Sequence, residues 1–322
     1  MIAGLFSGLG AALFQSLSYL GTRHFAHNRG TGSSRQLMVF GHLWMGVFGA
    51  IVLACEWPEG WRWLGDVWVP VLQMTLFYLV GQVGMILALR HAEPSRVSPL
   101  MGVKIVFLAG LSSFLAQPQV AATAPVVGLT WMQWAGVILA VVAAVALNYA
   151  GVAFKKQAVA AVMLACLAFT VSDWNVARGN VAIRAALPGA SILQISFLNV
   201  GLAYVLAAVP AMALAPIWGT RKVKDWMDAA PFAVTWFAGM LFLFWCFAEV
   251  GPLLGAILQS TRGLMSIIIG SLLIHWGHVH MEPHSSRGVL ARRLAAGALM
   301  FGAVGLYVIK VPGNLRMEWW HF

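Results

Sequence analysis

The chain has 322 residues, of which 61% are hydrophobic and only 9% charged, whereas a soluble domain carries roughly 25% charged residues. So few charges cannot cover a water-facing surface, which excludes a soluble globular protein and implies an integral membrane protein whose main partner is the lipid bilayer. The net charge of +10 does not imply nucleic acid, because the basic residues fall singly or in short clusters between apolar runs and form no stripe.

A helix that crosses the hydrocarbon core needs about 20 apolar residues. Ten segments read that way, at 2–21, 37–55, 69–90, 97–116, 129–150, 157–177, 190–215, 230–249, 252–275 and 294–310. Turn-rich or charged stretches separate them: "HNRGTGSSRQ", "EWPEGWRW", "AEPSR", "WGTRKVKDWMD" and "HVHMEPHSSRG". Tryptophans collect at segment borders, as in an interfacial belt: Trp57, Trp61, Trp63, Trp131, Trp134, Trp218, Trp226, Trp276, Trp319 and Trp320. The first apolar run begins almost at Met1 without a basic stretch before it, so no cleavable signal peptide is expected. Cys55, Cys166 and Cys246 lie in or beside apolar segments at spacings that suit no metal, and read as packing residues.

The short basic loop at Lys155 and Lys156 divides the chain into residues 1–154 and 155–322, each with five segments. The halves resemble each other. "ALFQSLSYLGTR" (12–23) matches "LAFTVSDWNVAR" (167–178), with Phe14 over Phe169 and Arg23 over Arg178. "ALRHAE" (88–93) matches "FWCFAE" (244–249), and "KIVFLAGLSSFL" (104–115) matches "RGLMSIIIGSLL" (262–273), which puts Lys104 over Arg262. An odd number of spans per half makes the repeats inverted, an architecture of transporters whose site lies near the midplane where the repeats meet. The expected fold is therefore an all-α membrane protein of ten transmembrane helices in two inverted five-helix repeats.

The first segment of each half, the "AEPSRVSPLMGVK" helix start, and the closing segments "WAGVILAVVAAVALNY" and "LAAGALMFGAVGLY" resemble the drug/metabolite transporter superfamily, EamA type, over nearly the whole chain. The pattern departs from that family after the fourth segment, where "LAQPQVAA" has no acid, and after the ninth, where Glu282 comes late. The resemblance implies export or uptake of small metabolites. It implies no particular substrate.

Arg262 stands inside an otherwise apolar run, where a charge costs about 2.5–3.5 kcal/mol on insertion scales. Gln259, Arg262 and Ser266, at i, i+3 and i+7, share one helical face. Arg262 reads either as an anion-binding group of a substrate cavity or as a structural arginine bonded to an acid or to carbonyls. Lys104, its repeat partner, either lines the same cavity or snorkels to the interface. Asp173 is the acid well inside a span, with Asn175 nearby. It is expected to neutralise Arg262 or Lys104 rather than to stand alone and bind a proton. Gln15, Ser18 and Tyr19 share a face of the first segment, Tyr78 and Gln82 one of the third, and Gln194 and Tyr204 less well one of the seventh. Interhelical hydrogen bonding explains such groups as well as substrate contact does. His42 reads as bonded to a neighbour, and Glu93 and Glu249 as interfacial acids. His275, His278, His280 and His284 resemble metal ligands but sit in a loop, and neither metal nor other cofactor is expected. Gly136, Ala140 and Ala144, and again Ala298 and Gly302, let helices approach closely within the bundle; a homodimer seam is the alternative.

Sequence signatures of enzymes, such as H-E-x-x-H, G-x-S-x-G or a phosphate-binding glycine loop, are absent from the chain. The expectation is a secondary transporter for a small anionic or zwitterionic metabolite, and the alternative is a channel or lipid-handling membrane protein without coupled transport. Loops after odd-numbered segments hold Arg23, Arg29, Arg35, Arg90, Arg96, Lys155, Lys156, Arg221, Lys222, Lys224, Arg287, Arg292 and Arg293. Even loops and the tail hold Arg62, Arg178, Arg184, Lys310 and Arg316. The positive-inside rule places the odd loops in the cytoplasm and both termini outside, opposite to the arrangement that the family resemblance implies. A reporter fused after Phe322 is expected to be active only outside the cytoplasm; cytoplasmic activity would reverse the orientation.

Overall fold

A computed structural model describes residues 2–29, 33–59, 61, 65–91, 101–115, 129–148, 156–220, 222–262, 264–265, 268–269 and 287–308. Ten α-helices occur among the described residues: α1 (Ile2–Arg29), α2 (Ser33–Glu56), α3 (Gly65–His91), α4 (Lys104–Phe114), α5 (Trp131–Asn148), α6 (Lys156–Ala186), α7 (Ile192–Trp218), α8 (Val223–Val250), α9 (Pro252–Ser260) and α10 (Arg287–Val308). Each coincides with one apolar segment of the sequence. Six of them, α1–α3 and α6–α8, are long and apolar enough to cross a bilayer.

Lengths depart from the 20-residue expectation in both directions. Helix α6 runs for 31 residues, well past its apolar run, because its polar end is still packed. Asn180 is buried there and donates to the Phe244 carbonyl of α8 at 3.0 Å, and Ile183 is buried beside it. Helices α4 and α9 are short, at 11 and 9 residues. A 3-10 turn, Met101–Val103, leads into α4. Gly251 opens α9: its φ of 82° lies in the left-handed region that glycine alone adopts freely, and Pro252 follows at the first helical position. That turn reverses the chain directly from α8 into α9.

The pairings in the bundle are specific. Helix α1 packs along α8, α3 along α6, α2 along α7, and α5 along α10. The short helices meet each other, and α4 touches α6 while α9 touches α1. The surface is the reverse of a soluble protein's. Phe6, Ile51, Leu72, Leu76, Ile138, Met212 and Ile217 are exposed, whereas Gln15, Ser16, Ser18, His42, Lys104, Asp173, Asn180, Asn199 and Gln259 are buried. Apolar side chains outside and polar ones inside, on helices that satisfy their own backbone, suit hydrocarbon as the solvent.

Glycines set the close approaches. A Cβ on Gly84 would lie 3.0 Å from the Ala161 carbonyl oxygen, fixing α3 against α6. The small residues of α5 serve packing inside the chain: Ala140 is buried, and a Cβ on Gly136 would lie 2.9 Å from the Ala303 carbonyl oxygen and 3.2 Å from the Tyr307 nitrogen of α10. Gly302 faces Leu139 at 3.6 Å, while Ala298 is exposed and the side chain of Ala144 lies outside the described residues. Gly136→Val is therefore expected to part α5 from α10 and to cost about 1–3 kcal/mol. Gly305→Ala, where a Cβ would meet nothing within 4 Å, should be neutral. Thermal melting of the purified variants in detergent checks both.

Candidate functional site

The two short helices bring the mid-chain charges to the centre. Lys104 is the first residue of α4, directly after the 3-10 turn. Arg262 stands just beyond α9, where the helical pattern tightens. The Thr261 N–H donates to the Leu258 carbonyl, three residues back, and the Thr261 carbonyl accepts from the N–H groups of both Leu264 and Met265. Lys104 and Arg262 thus both stand at helix ends, Lys104 at the start of α4 and Arg262 just past the end of α9.

Four side chains from four helices form one chain of hydrogen bonds. Lys104 Nζ donates to Asp173 Oδ2 of α6 at 2.6 Å and to Gln259 Oε1 of α9 at 2.8 Å. Gln259 Nε2 donates to Gln15 Oε1 of α1 at 3.0 Å. None of the four residues is more than 9% exposed. At such burial a lone carboxylate or ammonium is prohibitive, and the pair stands because each neutralises the other. The amide orientations follow from chemistry. An ammonium only donates, so Gln259 turns its oxygen to Lys104 and its nitrogen to Gln15. Gln15 must then accept with its oxygen, and its Nε2 is left without a partner among the described residues. A buried donor in that state costs about 1–3 kcal/mol.

Arg262 lies alongside, half-buried, with its guanidinium 5.8 Å from the centre of the Tyr19 ring of α1. Its carbonyl accepts a hydrogen bond from Ser16 Oγ at 2.8 Å. The Lys104 carbonyl accepts one from Thr170 Oγ1 of α6 at 3.4 Å. Hydroxyls of α1 and α6 therefore reach backbone carbonyls just past α9 and at the start of α4.

A second polar cluster is neutral and aromatic. His42 Nδ1 sits 2.7 Å from the Met38 carbonyl one turn back, which requires a proton on that nitrogen. His42 Nε2 is then the acceptor, and the Tyr78 hydroxyl donates to it at 3.1 Å. Trp236 Nε1 donates to the Tyr204 hydroxyl at 2.9 Å, and the Tyr78 and Tyr204 rings meet edge to face at 5.8 Å. Phe169 of α6, packed 6.2 Å from the Tyr78 ring, adjoins Thr170 and so lies between the two clusters.

Of the residues singled out by sequence, Gln15, Lys104, Asp173 and Gln259 meet in one network, with Arg262 and Tyr19 beside it. Lys104 does not snorkel: its ammonium is held by the Asp173 carboxylate at the centre. Asp173 pairs with Lys104 rather than with Arg262. Tyr78 belongs to the aromatic cluster, and Gln82 is buried one turn further along α3. Ser18 bonds the Gln15 carbonyl of its own helix, Asn175 bonds Val171 and Arg178, and Gln194 bonds the Glu56 carbonyl at the end of α2. Glu249 is half-buried in the last turn of α8. Cys166 and Cys246 are buried and Cys55 is exposed. Ser266, Glu93, Glu282, Trp63, Trp276, Trp319, Trp320 and the histidines of 275–284 lie outside the described residues. Ser16, Thr170 and Trp236 were not legible as site residues. A serine or threonine in a span usually bonds its own helix, and only the alignment of Gln15 with Thr170 hinted at a shared place.

Fold and site together define an all-helical, membrane-embedded protein with a charged network buried among its helices. No protein-family model matches the chain, and no curated protein matches it at a significant level. Among solved structures, one described as "Crystal structure of protein" aligns with a TM-score of 0.65 over 96% of this chain and 97% of its own, at 16% sequence identity. That likeness establishes a shared fold.

Removing one partner of the ion pair should expose its scaffold role. Lys104→Met leaves Asp173 buried without its counter-charge, an expected loss of about 3–5 kcal/mol. The double variant Lys104→Met/Asp173→Leu should recover most of that loss. Melting of the purified single and double variants checks the pair.

Proposed function

We propose that the chain is a secondary transporter of the drug/metabolite, EamA-type architecture. In this reading two inverted five-helix repeats, 1–154 and 155–322, move a small anionic or zwitterionic metabolite by alternating access. The observation that carries the reading is the Lys104–Asp173–Gln259–Gln15 network. It draws on the first and fourth helices of both halves, at joints where helices are interrupted. Short or interrupted segments at corresponding positions are the mark of a midplane site in repeat transporters.

Helix pairing supports the repeat. Exchanging α1–α5 with α6–α10 turns the α1/α8 contact into the α6/α3 contact and maps α2/α7 and α5/α10 onto themselves. The Ser16 and Thr170 hydroxyls also cross between the halves, each to the backbone carbonyl of the other half's cation. All three hydrogen bonds of the network, Lys104 to Asp173, Lys104 to Gln259 and Gln259 to Gln15, join the halves, and they are few and directional. A rocking motion of one half on the other would make and break these bonds, while the apolar seams slide. Within the cluster the charges of Lys104 and Asp173 cancel. Arg262 supplies the remaining positive charge, which favours an anion over a cation.

In proteoliposomes offered a mixture of small metabolites, the protein should accumulate a subset saturably and in response to a gradient. Unsaturated current would instead favour a channel. Arg262→Ala is expected to abolish uptake with melting unchanged, and Arg262→Lys to restore part of it, since a point charge does not replace a bidentate fork. Loss of the alanine variant from the membrane would assign Arg262 to the scaffold.

A further inference from the structure

We propose that Gln15 Nε2 and the Arg262 guanidinium together hold the carboxylate of a monoanionic substrate, an inference that rests on the transporter reading and names its substrate class. The first observation is the unpartnered amide. Gln15 is fully buried, and its Nε2 has no acceptor among the described residues. Turning the amide over does not relieve it. A flipped Gln15 would set its NH2 against the NH2 of Gln259, and flipping both would set the Gln259 nitrogen against the Lys104 ammonium. The ammonium therefore fixes the donor in place through two relayed amides, and an acceptor must come from elsewhere.

The second observation is where Arg262 lies. Its guanidinium rests over Tyr19, four residues after Gln15 on the same face of α1. One helical turn separates those positions by about 6 Å along the axis. A planar carboxylate held between them would turn one oxygen to the amide and the other to the fork of the guanidinium. The Tyr19 ring limits how the guanidinium can tilt.

Charge selects the ligand further. Asp173 is engaged by Lys104 at 2.6 Å, so the acid of the cluster is already matched and offers little to a substrate ammonium. The single positive charge of the Arg262 guanidinium suits one negative charge. A dianion would carry a second charge into a buried site without a counter-ion.

Melting of the purified full chain tests this with acetate, ethylammonium and inorganic phosphate, each against sodium chloride at matched ionic strength. Acetate is expected to raise the midpoint, and ethylammonium and phosphate are not. Gln15→Leu and Arg262→Lys should each weaken the apparent acetate affinity tenfold or more. Gln15→Glu keeps an oxygen for Gln259 and tethers a carboxylate beside Arg262. It should melt above the wild-type protein and no longer respond to acetate, which holds even if the leucine variant fails to fold. No acetate shift beyond chloride, or an acetate response in Gln15→Glu equal to wild type, overturns the proposal. Uptake by the same proteins separates the two readings. Acetate protection through Gln15 and Arg262 without any solute movement would sink the transporter and leave the carboxylate site. Saturable uptake that Gln15→Leu leaves intact would do the opposite.

Discussion

The charged network buried in this bundle is arranged around one ammonium group. Lys104 sits where water is scarce, so its charge survives only with a carboxylate against it and its other protons on acceptors. Asp173 and Gln259 meet that need, and Gln259 in turn dictates how Gln15 must face. Four helices, α1, α4, α6 and α9, are thereby required to converge on a single point. Apolar packing alone has no such directional demand in lipid, where one greasy surface is much like another. The ion pair is therefore weak as a source of stability and strong as a specification of register.

The remaining contacts have a different character. Helices α2, α3, α7 and α8 converge on the neutral cluster of His42, Tyr78, Tyr204 and Trp236. These helices are all long, whereas the charged network joins two long helices, α1 and α6, to two short ones, α4 and α9, that begin or end at the site. Backbone near a helix end has groups not committed to the i→i−4 ladder, and Ser16 and Thr170 reach carbonyls at those ends. A turn such as that at Thr261 can be re-formed at little cost, while the middle of a long helix cannot. On the transporter reading, the long helices are the frame and the joints are where the two halves change partners.

Much of this was legible in the sequence. Ten apolar runs match the order of the ten helices among the described residues, of which six are long and apolar enough to cross a bilayer, because lipid demands long apolar stretches and their ends are marked by charge, proline and tryptophan. The sequence singled out Lys104 and Arg262 as the charges inside apolar runs, and both stand at helix ends beside the buried network. The i, i+4 spacing of Gln15 and Tyr19 placed both toward the region that Gln259 and Arg262 approach. What escaped was partner choice. Asp173 had two cations to satisfy, and only three-dimensional distance assigns it to Lys104. Helix ends escaped as well: α6 continues nine residues beyond its apolar run, which ends at Ala177, because Asn180 finds a carbonyl on α8, a contact with no trace in local composition.

The two cations of the site differ in a way that residue type anticipates. A lysine is a compact charge that one carboxylate can satisfy almost completely, and Lys104 is so satisfied. An arginine presents a wide fork with more donors than a single neighbour uses, and it stacks on rings as Arg262 does on Tyr19. Had the positions been reversed, an arginine against Asp173 would have filled the centre, and a lysine at the joint of α9 would have lacked the planar face to rest on Tyr19. At these two helix ends the chain thus carries one cation held in an ion pair and one set against an aromatic ring.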